Sequence, residues 1–172
     1  MFRLSNTRYG SFYENLKRKI ILLQKYPYFP FLKHCLNMVP FNQIQKGDYL
    51  VGEFEGKHWK GEVTRLNGDE KQVCLNTGVQ EFWFTPDHLH CIPLNDESLS
   101  WLNFQKELMS DGAVKYKKGS FRIMLPKEGD FKHMDIWYRE DKRHQPGIEF
   151  IHQLQNHYYQ MTKVHLTDEV MV

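Results

Sequence analysis

The sequence predicts an α+β chain in which a small β-barrel is followed by a β-meander with helices. Three observations carry this. Short alternating segments split by turn residues fill 45–94, a second alternating series lies between 113 and 138, and residues 148–162 have helical spacing. The expected organisation is a basic helical N-terminal extension over 1–37, a barrel over 38–94 and a small α+β unit ending in a helix over 95–172.

Residues 11–25 form the first expected helix, with Phe12, Leu16, Ile20 and Leu23 on one face, Ser11 as N-cap and Pro27 as its stop. The stretch Tyr26-Pro27-Tyr28-Phe29-Pro30-Phe31-Leu32 is held extended by its prolines and is too apolar for a free linker. Met38-Val39-Pro40-Phe41 reads like a protein start, so one expectation is that Met38 is the initiator and that 1–37 is an upstream extension.

Barrel strands are expected at 48–54, 58–66, 73–76, 79–84 and 89–92. Gly56-Lys57, Asn67-Gly68-Asp69 and Thr77-Gly78 supply the turns. In the second strand Trp59, Gly61 and Val63 share one face and Lys60, Glu62 and Thr64 the other. Asn95 then caps a short helix carrying Leu99, Trp101 and Leu102, with Asp96 and Glu97 at its positive end. Strands follow at 113–117, 121–125 and 131–138, then a polar stretch over 139–147. The last helix buries Ile151, Leu154, Tyr158 and Met161.

The chain's charge is uneven. Residues 1–35 hold seven basic groups against Glu14, a net of +6, which leaves −4 for the rest of a chain whose total is +2. Lys17, Arg18 and Lys19 are the candidate contacts to nucleic acid, weighed against an ordinary solvated helix face. No apolar run approaches the ~18 residues of a membrane span, so no membrane partner is expected. Cys35, Cys74 and Cys91 are odd in number and widely spaced, which fits reduced thiols and a cytoplasmic location.

The barrel stretch resembles SH3-like barrels of the Tudor kind through Gly47-Asp48, Trp59-Lys60-Gly61-Glu62-Val63, Gly78-Val79-Gln80-Glu81-Phe82 and Leu89-His90-Cys91-Ile92-Pro93. A wider resemblance, over roughly 39–166, is to small uncharacterised proteins of phages and prophages of Bacteroides-type gut bacteria. It rests on Ile92-Pro93-Leu94 with the acidic helix after it, the meander, and above all His152-Gln153-Leu154-Gln155-Asn156. The chain departs from that group at His157, where an apolar residue is usual, and at Lys163, where Gly is usual. The resemblance implies origin and fold and brings no activity.

Candidate binding residues are aromatic or amide-bearing. Phe82 and Phe84 share a strand face, Trp83 points oppositely and Trp59 lies on the neighbouring strand, so one set is core and the other is free to hold a cation or stack a base. On the last helix His152, Gln155 and Asn156 are either a satisfied polar network or a recognition surface. His88, His90 and Cys91 are weak metal candidates, since alternate strand residues place both imidazoles on one face; completing the site would require a distant residue such as His34, Cys35 or His58. Asp87, Glu140 and Lys142 match a degenerate metal-dependent nuclease pattern.

No phosphate loop, dinucleotide fingerprint or nucleophile motif is present, so no cofactor is expected and enzymatic activity is not favoured. The expected function is that of a non-catalytic phage or prophage accessory protein. Its partner is expected to be a protein, such as a host defence factor. Nucleic-acid binding and metal-dependent hydrolysis are the alternatives.

Overall fold

The computed structural model describes residues 39–144 and 147–168. The expected helix over 11–25, the Lys17-Arg18-Lys19 cluster, the aromatic-proline stretch and Met38 lie outside the described residues. All that follows belongs to the unit Asn37–Val172. This unit is mixed, with two antiparallel five-stranded sheets and a few helices.

The first sheet contains β1 (Tyr49–Phe54), β2 (Lys57–Asn67), β3 (Gln72–Asn76), β4 (Glu81–Phe84) and β5 (Leu89–His90). Their order is β4-β3-β2-β1-β5. Glu55 and Gly56 both take positive φ, at 50° and 74°, which matches a tight hairpin whose hand fits the strand twist. Lys57 therefore falls in the strand, not in the turn. At the other end of β2, Asn67 Oδ1 accepts from the Asp69 and Glu70 amides, and the left-handed residue is Lys71. β2 serves two partners. Its first half pairs β1 and its second half pairs β3, with the register shifting between Val63 and Arg65. The extra residue bends the strand and increases its twist.

That bend curls the sheet. The Phe84 ring, on the edge strand β4, reaches Gly52 on β1, where a Cβ would lie 2.4 Å from Phe84 Cζ. Trp59 on β2 stacks on Phe82 of β4, with ring centroids 5.6 Å apart. Leu50, Val63, Val73, Leu75, Phe84 and Leu89, from all five strands, thus meet in one core.

α1 (Asp96–Trp101) starts as expected: Asn95 Oδ1 accepts from the Ser98 amide and Ser98 Oγ from the Asn95 amide. The second sheet is a meander of β6 (Gln105–Leu108), β7 (Val114–Lys118), β8 (Phe121–Leu125), β9 (Asp135–Tyr138) and β10 (Asp141–His144), ordered β10-β9-β8-β7-β6. Alternation buries Val114 and Tyr116 on β7 and Phe121, Ile123 and Leu125 on β8. Lys118 falls on the same buried phase. Its ammonium is satisfied by the carbonyls of Leu102, at 2.8 Å, and Thr167. Residues 131–138 are not one strand, because Phe131–His133 forms a 3-10 turn and the strand begins at Asp135.

α2 (Ile151–Thr162) follows, and Gln153 Oε1 accepts from the Glu149 and Phe150 amides at its start. It ends at Lys163 in the left-handed conformation, φ 62°, a position that favours Gly. The helix touches both sheets. Gln155 bonds the β1 backbone, and Tyr158 packs on Phe121 with centroids 4.7 Å apart. Among the described residues no helix is long and apolar enough to cross a membrane.

Candidate functional site

Three regions bring chemistry-bearing residues together. The first is the end of the curled sheet that carries the β1–β2 and β3–β4 turns. Gly52 faces Trp59 in the ladder, so Phe54, two residues on, lies on Trp59's face as a diagonal neighbour within aromatic reach. Phe54 is 54% exposed, and Trp59 and Phe82 are half-buried. In the β3–β4 turn, the Thr77 hydroxyl donates to the Gln80 carbonyl at 2.9 Å and the Asn76 side chain accepts from the Gly78 amide at 2.9 Å. That fixed turn leaves Val79 92% exposed. Phe54, Trp59 and Phe82 therefore make an apolar, aromatic end, and Val79 is exposed on the turn that leads into β4. Phe84 does not join it, being buried against Gly52. Phe54 and Val79 escaped sequence reasoning, although the tight β1–β2 turn that strands Phe54 was signalled by Gly56.

Trp83 points to the opposite face, as alternation requires, and is 45% exposed. The Arg65 guanidinium sits over its ring, 5.3 Å from the centroid, and pairs with Glu81. The cation there is offset by a carboxylate.

The second region lies beside α2. Gln155 is a satisfied buried group: its Oε1 accepts from the Tyr49 amide at 2.7 Å, and its Nε2 donates to the carbonyls of Gly47, at 2.8 Å, and Leu166, at 2.9 Å. The Asn156 amide donates to the Gln43 carbonyl at 3.3 Å. Beside it is an open hollow of about 330 Å³ lined by Gln43, Gln45, His152, Asn156, His157 and Gln160, among others. His152 and His157 are buried, and His152 Nδ1 and His157 Nε2 have no hydrogen-bond partner among the described residues. Burial pushes the His152 imidazole down to about 4 and lowers that of His157 as well. Asp48, just before β1, is pushed up to about 7 by burial, against the opposing pull of the Gln45 amide and the Asn156 side chain.

The third region corrects the metal candidates. His88 lies in the 3-10 turn Pro86–His88, off the strand, and Cys91 is buried in the core of the first sheet. His90 lies on β5 as expected. It meets Glu53 and His58, the latter one of the distant residues expected to complete a site, and one ligand atom from each of the three lies within 4.8 Å of the others. Asp87 sits in the same 3-10 turn as His88, whereas Glu140 and Lys142 belong to the β9–β10 hairpin of the other sheet, where Lys142 pairs with Asp135 at 2.7 Å. Comparison with known proteins finds no matching family model, no matching curated protein and no matching solved structure.

Proposed function

We propose that the chain is a non-catalytic binding protein, an accessory protein of a phage or prophage, and that it takes a protein partner at the aromatic end of an SH3-like barrel. The observation that carries this reading is the stacking of half-buried Trp59 on Phe82 with exposed Phe54 on the same face of the sheet. The return of β5 to lie beside β1, and the reach of Phe84 from β4 to β1, support the barrel. Aromatic side chains on rigid elements give large contact area at small entropic cost, and such groups anchor protein interfaces. An apolar or cationic side chain of the partner fits between these rings. The phage origin is supported by the resemblance centred on His152 to Asn156.

The test is capture from a Bacteroides-type lysate with the full chain and with Trp59→Ala. A partner protein retained by the parent chain and lost by the variant is expected; retention of the same species by both overturns the reading. Titration with DNA and RNA in a salt series covers the nucleic-acid alternative, which rests on Lys17, Arg18, Lys19 and the aromatic residues. Tight binding that weakens steeply with salt would replace the protein partner by a nucleic acid.

A further inference from the structure

Glu53, His58 and His90 come from three strands, and the ladder sets their meeting. Glu53 on β1 lies directly opposite His58 on β2. His90 on β5 lies opposite Val51, which shares Glu53's face of β1. All three side chains therefore project from one face of the sheet. Directly opposed residues of an antiparallel pair have Cβ atoms about 5 Å apart, and diagonal ones about 7–8 Å or somewhat less, spacings that long side chains close without bending the backbone.

The side chains do converge. Glu53 Oε2 lies 2.9 Å from His90 Nε2, and the rings of His58 and His90 meet edge to face with centroids 5.8 Å apart. Ligand atoms around a tetrahedral zinc ion sit about 3.3 Å from one another, given bonds of about 2.0–2.1 Å. The Glu53 and His90 atoms are already near that separation, and small rotamer changes bring in His58. A hydrogen bond between Glu53 and His90 does not by itself require a third donor, yet His58 supplies one within 4.8 Å. The Glu53 and His90 side chains are only 30% and 16% exposed, whereas His58 stands at the exposed rim. An ion would enter past His58 and settle against a partly desolvated carboxylate and imidazole.

We propose that Glu53, His58 and His90 bind one divalent transition-metal ion of the zinc class, with the remaining position left to water. Two imidazole nitrogens and one carboxylate oxygen are a borderline donor set that suits zinc, nickel or copper, while magnesium prefers an all-oxygen shell that keeps its waters. The site does not rest on the partner-binding reading, since it occupies the opposite face of β1 from Phe54. Its three protein donors with an open position match the ligand count of reactive zinc sites rather than closed structural ones.

The experiment uses the full chain without a histidine tag. Zn²⁺ is titrated in competition with a chromophoric chelator, and Co²⁺ alone is added to read the visible band of a low-coordinate site. One Zn²⁺ per chain is expected, with Mg²⁺ failing to displace it. His58→Ala and Glu53→Gln should each weaken binding by at least the roughly tenfold to hundredfold that loss of even an outer-shell partner costs. His133→Ala, at an exposed histidine paired with Asp130, should leave binding unchanged. Since His58 is exposed on its strand, its removal leaves the core intact. Absence of saturable Zn²⁺ binding by the parent chain, or unchanged affinity in His58→Ala, overturns the proposal.

Discussion

The two sheets have the same number of strands and the same antiparallel pairing, yet they solve the covering of their apolar faces differently. The first curls so that the Phe84 ring of its edge strand β4 lies on Gly52 of β1 and covers part of the sheet's own face. Gly52 leaves the space for the Phe84 ring, and the Val63/Arg65 register shift supplies the bend. The second is a plain meander; its Phe121 lies against Phe104 and against Tyr158 of α2, and its edge strands β6 and β10 are exposed along their length. On the curled face Phe54 is exposed and Trp59 and Phe82 stay partly accessible. The meander instead leaves charged edges, where Lys106 pairs with Asp96 and Glu128, and Asp135 with Lys142 and His144. Charged edges of this kind resist pairing with other chains.

The largest expected effect tests the seam between that sheet and α2. Asp48 has a folded value near 7 against an ordinary 3.8, so its contribution to stability falls as pH rises between about 4 and 7. His152 has a folded value near 4 against 6.5, so its contribution is lost as pH falls through the range from 6.5 to 4. The two slopes oppose each other in the parent chain. Asp48→Asn keeps an acceptor for the Gln45 amide and removes one slope. Denaturant titrations at several pH values should show the variant gaining on the order of 4 kcal/mol over the parent at pH 8, and rising steadily from acid to neutral pH. A profile parallel to the parent's would mean that Asp48 is not held protonated at this seam.

The packing of Phe84 on Gly52 is tested by Gly52→Ala. The added methyl collides with a ring that is buried on all sides, and overpacking of this kind should cost about 3 kcal/mol in equilibrium unfolding. Combining it with Phe84→Leu should recover part of the loss, because the two sites share one volume. In the second sheet Ile123→Val, which removes one methyl from a fully buried position, should cost only about 1 kcal/mol. If Gly52→Ala proves no worse than Ile123→Val, the curl is not what holds the first sheet together. The smallest effect sharpens the role of α2 as a cover: Lys163→Gly relieves a left-handed non-glycine residue and should raise stability by about 1 kcal/mol. A loss of stability at that position would show that the Lys163 side chain contributes more than its backbone costs.

Much of the fold is legible in the sequence where one face of an element is buried. β7 and β8 announce themselves through Val114 and Tyr116 and through Phe121, Ile123 and Leu125, and α2 through Ile151, Leu154 and Tyr158. β6 and β10 carry no such signal, because both of their faces are exposed and only backbone pairing makes them strands. Residues 131–134 alternate as a strand would, but His133 bonds the Asp130 side chain and the segment turns before β9 begins. Of the candidate site residues, the opposition of Trp83 to Phe82 and Phe84 follows from alternation alone. The split among the α2 amides does not. Gln155 became a buried clamp and Asn156 a lining residue because β1, distant in sequence, and the 166–168 segment just after the helix arrive on one side of it.

The sequence by itself determined the local periods: which residues of each strand share a face, where Asn95 starts a helix, and how aromatic residues divide between the faces of β4. These depend on backbone geometry over a few neighbouring residues. Tertiary structure alone decided that β5 lies beside β1, which carries His90 to Glu53 across 37 residues of chain, and that Asp48 before β1 and His152 on α2 are both buried. The physical reason is that long-range strand pairing and burial are chosen by the free energy of the whole core, where Leu50, Val63, Phe84 and Leu89 must fill one volume together, and no segment's own pattern contains that constraint.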